Sequence, residues 1–149
     1  MSAKTDLPRT PGVVLIYGVM GLSGFLGPPL AGLMASEYRD LALRLLIAYA
    51  ALILSFLGGA RWGLAVARPK PSPLTVSLAM LPTLVALGLM MLPATLQSWQ
   101  IGGLVAGLTL HWIWDIRAKG LPDWYPGLRT LLSGGAVAGL IAGSLFLLP

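Results

Sequence analysis

Five apolar runs divide the chain: Val13 to Ala35, Leu43 to Ala67, Leu74 to Leu92, Trp99 to Ile116 and Thr130 to Leu148. A helix rises about 1.5 Å per residue, so about 20 residues cross the roughly 30 Å of hydrocarbon in a bilayer. Every run is long enough to span, the fourth narrowly. The runs are continuous in Leu, Ala and Gly and do not alternate with polar residues, which excludes the short two-periodic strands of a membrane β-barrel. The expected fold class is all-α: a polytopic bundle of five transmembrane helices forming one domain over residues 1–149. The connections are too short to hold a second domain, so any chemistry must use the bundle or its rims.

Charge agrees with this and adds an orientation. With ten Lys and Arg against five Asp and Glu, charged residues make up 10% of the sequence, well below the roughly 25% usual for soluble domains. The basic residues stand in short clusters between apolar runs rather than on one solvated face, which argues against nucleic acid as a partner. Lys4 and Arg9, Arg68 and Lys70, and Arg117, Lys119 and Arg129 fall on one side of a five-span thread. Arg39 and Arg44 on the other side are matched by Glu37 and Asp40. The positive-inside rule then places the amino terminus in the cytoplasm and Pro149 outside, in an inner (plasma) membrane. The first run is too long for a signal-peptide core and is expected to stay as an anchor.

Several chemistries find no residues to carry them. One histidine and no cysteine cannot supply a usual zinc set, and the carboxylates are scattered over both sides, so no metal and no cofactor is expected. There is no P-loop, and no serine stands at the depth of the histidine to complete a nucleophilic triad. An enzyme is not expected.

Small residues and prolines mark the packing. Gly135, Gly139 and Gly143 in the fifth run recur every four residues, and Gly59 and Gly63 in the second repeat the spacing, which stacks bare backbone on one helix face. Packing inside the bundle and a homodimer seam both fit that pattern. Pro28 and Pro29 remove the donors for the carbonyls of Gly24 and Phe25, and Pro82 removes the donor for Leu78. Freed carbonyls in lipid need another partner, whether a neighbouring helix, water or a bound cation.

Ionisable groups in hydrocarbon are costly and mark a working site or a helix end that reaches water. Arg61 lies about 9 Å inside the end of the second run, while His111 and Asp115 share a face of the fourth at i and i+4. An ion pair between Arg61 and Asp115 is expected, because a hidden guanidinium gains most from a nearby carboxylate. Trp62, Trp112, Trp114, Trp124 and Tyr125 lie at the same level. The connection Gly120 to Gly127, with two prolines and two aromatics before Arg129, suits a rigid turn anchored in lipid headgroups. Its aromatics and Arg129 equally suit the mouth of a pocket leading to His111 and Asp115. The plain alternative is an interfacial belt in which Arg61 snorkels and the helix end is wet.

Laying the second run on the fourth superposes Arg61-Trp62 on His111-Trp112, a weak internal echo compatible with a parallel repeat of helices 2–3 and 4–5. The segments Gly58-Gly59-Ala60-Arg61-Trp62-Gly63, His111-Trp112 with Asp115, and Pro122-Asp123-Trp124-Tyr125 with Leu128-Arg129 resemble an uncharacterised family of small five-span bacterial and mitochondrial membrane proteins, the one that includes eukaryotic transmembrane protein sixty-nine. The resemblance covers essentially the whole chain and implies an inner-membrane protein with no established activity and no catalytic residues to carry over. Two functions fit. One is binding, and possible carriage, of a small amphipathic or lipid-like ligand at Arg61, His111, Asp115, Trp62, Trp112, Trp124, Tyr125 and Arg129. The other is a non-catalytic scaffold or assembly factor in a larger membrane complex.

Overall fold

The structure, a computed structural model, describes residues 9–148. The topology signal at Lys4 and the terminal Pro149 lie outside the described residues. Among the described residues all regular structure is helical: α1 (Gly12–Gly21), α2 (Ser23–Met34), α3 (Arg39–Val66), α4 (Pro73–Leu78), α5 (Leu81–Met90), α6 (Gln97–Ile116) and α7 (Tyr125–Phe146), with short 3-10 turns at Ser36–Tyr38 and Ala94–Leu96.

Among the described residues four segments are long and apolar enough to cross a membrane: Gly12–Met34, Ser36–Val66, Pro73–Met90 and Tyr125–Phe146. The fourth apolar run is the exception. Its helix α6 has 20 residues, but Gln97, Gln100, His111 and Asp115 dilute its apolar character. Along the middle of the helices the outward faces are apolar, with Leu45, Leu52, Phe56, Leu110, Leu131 and Leu145 all exposed. A water-soluble surface rarely shows apolar area this continuous. The protein is therefore a membrane protein.

α3 is the central post and packs against α2, α5, α6 and α7. Its inward side carries Leu43, Leu46, Ala50 and Leu54, which meet Leu104 and Leu108 of α6 and Leu140 of α7 in a core with almost no exposure. Lipid tails are as apolar as these leucines, so close van der Waals fit, rather than hydrophobic transfer, holds such helices together. The glycines of α7 supply that fit. A Cβ on Gly139 would stand 2.6 Å from the Phe25 carbonyl oxygen and one on Gly135 2.8 Å from Leu22, and Gly143 lies against Leu46. This face is filled from within the chain. Gly59 and Gly63 do not join it, because a Cβ on either would meet nothing within 4 Å. The close approach on α3 is made one residue earlier, about 100° round the helix, where a Cβ on Gly58 would lie 2.7 Å from the Ala79 carbonyl.

The Phe25 carbonyl freed by Pro29 and the break before Pro82 can each be placed in the packing. The first run breaks at Leu22, before the prolines, and α2 continues through Pro28 and Pro29. At the break Phe25 N–H donates to Leu22, not Gly21, and the Tyr49 hydroxyl donates to the Gly21 carbonyl at 2.7 Å. Tyr49 also packs edge-on against Phe25 with ring centres 5.1 Å apart. The Phe25 carbonyl that Pro29 deprives of a donor faces bare Gly139. In the third run Pro82 stands in the first turn of α5, after a two-residue break at Ala79 and Met80. The break sits against Gly58, and the Ser55 and Thr83 hydroxyls bridge α3 to α5 at 3.0 Å. α7, the counterpart of α4–α5 in the suggested repeat, runs unbroken.

Gln100 closes the opposite end. Its buried amide donates to the carbonyls of Leu89 and Leu92 at 3.0 and 3.2 Å, as a second donor to Leu89, which also accepts from the Leu92 N–H.

Candidate functional site

Asp115 is the centre of the site. It is 1% exposed, and α6 presents it on the same face as Leu104, Leu108 and His111. Three helices supply its neighbours. From α7, the Arg129 Nε donates to Oδ2 at 2.7 Å and the Tyr125 hydroxyl donates to the same oxygen at 3.3 Å. From α3, the Arg61 Nε approaches Oδ1 at 3.5 Å, an electrostatic contact outside hydrogen-bonding geometry. From one turn back on α6, His111 Nδ1 lies 3.3 Å from Oδ2. Arg61, Arg129 and His111 are 8%, 6% and 3% exposed, so these charges are interior and do not snorkel.

The local sequence explains the convergence. α7 starts at Tyr125 with Pro126 in its first turn, a position where the missing N–H costs nothing. Tyr125 and Arg129 are thereby i and i+4 on one face, and both reach Asp115. The expected turn over Gly120 to Gly127 is shorter than read from sequence, since its last three residues are helical. Gly120 takes a left-handed conformation with φ 81°, which glycine adopts at no steric cost. Arg68 of the α3–α4 connection donates to the Lys119 carbonyl at 3.3 Å, so both basic connections lie at one end of the bundle.

The aromatic residues divide. Trp114 stacks on the Arg61 guanidinium, whose central carbon is 4.6 Å from the ring centre, and lies 5.7 Å from the His111 ring. Trp62, next to Arg61 in sequence, turns outward and is 44% exposed. Trp112 donates to the Thr130 hydroxyl at 3.0 Å, which in turn donates to the Pro126 carbonyl at 2.9 Å, tying α6 to α7 on another face. Trp124 packs on Tyr125 with ring centres 6.0 Å apart. None of these last three touches Asp115; at about 100° per residue a neighbour in sequence is not a neighbour in the site. The chain thus brings together Arg61, His111, Asp115, Tyr125 and Arg129, and leaves Trp62, Trp112 and Trp124 around them.

Two guanidinium groups share one carboxylate, so the cluster holds a surplus positive charge even with His111 neutral. It is also incompletely satisfied. Arg61 Nε, both ring nitrogens of His111, Asp115 Oδ1 and Arg129 Nη2 are buried with no hydrogen-bond partner. Two clefts flank it. One, of about 170 Å³, lies between α1–α2, α3, α6 and α7 and is lined by Leu22, Ile53, Leu108, Arg129 and Ser133 among others. The other, of about 280 Å³, lies between α3, α4–α5 and α6, with His111 and Trp114 as its polar end. Among the described residues no group of three or more His, Cys, Asp or Glu could hold a metal ion.

An all-helical chain with lipid-facing apolar surfaces and a buried ionic knot is a polytopic membrane protein with a polar site inside its bundle. The chain belongs to the family described as protein of unknown function (DUF3429), whose model matches residues 10–145. It is 32% identical to Transmembrane protein 69 of Xenopus tropicalis over 149 residues, a match covering 97% of this chain and 57% of that relative. The chain thus spans little more than half the length of that protein. No solved structure matches it.

Proposed function

We propose that this is a non-catalytic inner-membrane protein that binds, and in the course of binding carries, a small amphipathic or lipid-like molecule. The ligand's polar part meets the Asp115 cluster, and its apolar part lies in the cleft between α1–α2, α3, α6 and α7. The observation that carries this reading is the combination of an interior cluster with unpartnered polar atoms and an apolar cleft that reaches one of its arginines. Intramembrane ionisable residues usually serve a function when they face a cavity. α6 is read as a fifth span: its polar residues Gln100, His111 and Asp115 are buried while Leu110 faces out, and it packs against α3, α5 and α7. The basic connections at the cluster's end are read as cytoplasmic, with the amino terminus inside and Pro149 outside.

Native mass spectrometry of the whole protein in mild detergent tests the binding. The wild type is expected to retain a non-protein mass, and Ile53→Trp, which fills the cleft, to lose it. A folded wild type that retains nothing overturns the reading. A reporter fused to Pro149 that is active only in the cytoplasm overturns the orientation.

A scaffold role is the second reading, favoured by one observation. Gly59 and Gly63 present bare backbone to the outside of α3 with nothing against them, the kind of face on which a partner helix packs. Co-purifying subunits lost on Gly63→Ile, with the retained mass unchanged, would support it.

A further inference from the structure

We infer that the head of this ligand is a singly charged oxyanion, a carboxylate or a phosphodiester, held by Arg129 and Ser133 in the cleft between α1–α2 and α7. The inference rests on the binding function proposed above and adds the ligand's chemistry and position. Arg129 is the arginine that lines this cleft. Its Nε is committed to Asp115 at 2.7 Å, while its Nη2 is buried without a partner. Ser133, one turn further along α7 and 8% exposed, lines the same cleft and offers a hydroxyl on the same helix face. A planar guanidinium with a free N–H edge suits an oxyanion better than any neutral head.

Charge sets the valence. Arg61 and Arg129 against Asp115 leave one positive charge in a low-dielectric interior, which a monoanion neutralises and a dianion overshoots. Size sets the rest. At about 170 Å³ the cleft falls below the ~300 Å³ at which pockets enclose a whole drug-sized ligand. It accommodates a head and the start of a chain. Tyr17 and Phe56, which also line it, are 69% and 68% exposed, so the remainder of an acyl chain passes directly into lipid. The opposite cleft ends on His111 and contains no arginine, which assigns the anion to the α7 side.

The test loads the delipidated full chain in detergent with four probes in separate arms: a long-chain fatty acid, its methyl ester, phosphatidylglycerol and diacylglycerol, which has the same acyl chains and no phosphodiester. Native mass spectrometry reads the adducts. Fatty acid over ester, or phosphatidylglycerol over diacylglycerol, is expected at about tenfold or more, equivalent to a charged hydrogen bond of roughly 1.4 kcal/mol; the favoured pair identifies the source of the head. Arg129→Gln is expected to abolish the preference. Ser133→Val, which keeps the ionic cluster intact, is expected to reduce the anionic adduct about three- to tenfold and leave the neutral adduct unchanged. Equal adducts within both pairs overturn the anionic head while leaving amphiphile binding standing. No adduct with any probe overturns both. An anion preference that survives Ser133→Val and Arg129→Gln unchanged overturns the assigned position.

Discussion

Replacing Asp115 by Ala leaves two guanidinium groups in the interior with no carboxylate between them. Arg129 loses its 2.7 Å partner, Arg61 its 3.5 Å neighbour, and Tyr125 its acceptor. Removing one member of a buried ion pair costs about 3–5 kcal/mol, because the remaining charge stays desolvated. Interhelical polar contacts in membrane proteins average only ~0.6 kcal/mol, since the unfolded chain in the membrane also finds partners. The larger figure governs here, because neither arginine can shed its proton. We expect a loss of about 3 kcal/mol or more, read by equilibrium unfolding in mixed detergent micelles and followed by tryptophan fluorescence. Combining Asp115→Ala with Arg61→Leu and Arg129→Leu removes the stranded charges and is expected to recover most of that loss. Double-mutant cycles should give stronger coupling for Arg129 with Asp115 than for Arg61 with Asp115. A loss below about 1 kcal/mol for Asp115→Ala, or additive effects in both cycles, would refute the buried cluster.

Three further outcomes follow from the packing. Gly139→Val drives a side chain into the Phe25 carbonyl and is expected to destabilise by about 1–3 kcal/mol, whereas Gly59→Ala, which meets open space, stays within about 0.5 kcal/mol; the same unfolding assay compares them. Gln100→Leu removes a side-chain donor from the carbonyls of Leu89 and Leu92 and is expected to cost about 1–3 kcal/mol, with faster amide exchange confined to residues near Leu89 to Leu92. Trp114→Leu removes the ring beneath Arg61 and is expected to cost about 0.5–2 kcal/mol, an effect that disappears in an Arg61→Leu background.

The transmembrane character was legible because bilayer thickness fixes element length, and each apolar run marks its helix to within about five residues. The face of α6 was legible too: His111 and Asp115 at i and i+4 can only share a side, and a carboxylate at that depth calls for a cation. What could not be read was that Arg129, placed by the sequence at the mouth of a pocket, closes on Asp115 itself. From the apolar run alone, which begins at Thr130, Arg129 reads as a flanking or pocket-mouth charge, whereas Pro126 marks a first turn and moves the helix start to Tyr125. One turn of helix converts a rim arginine into an interior one. Glycine spacing showed that a face exists but not what it meets, so Gly59 and Gly63 carried the right period on the wrong side while Gly58 makes the contact. The Phe25 carbonyl freed by Pro29 was identifiable in sequence, whereas Gly139, which it faces, lies on a helix distant along the chain.

The most direct measurement is an experimental density map of the protein in lipid nanodiscs at side-chain resolution. The account predicts Arg61 and Arg129 converging on Asp115 from opposite helices, with elongated density entering the α7-side cleft and ending within hydrogen-bond distance of Arg129 Nη2. Arginines turned out to the headgroups, with the cleft closed by packed side chains, would contradict it.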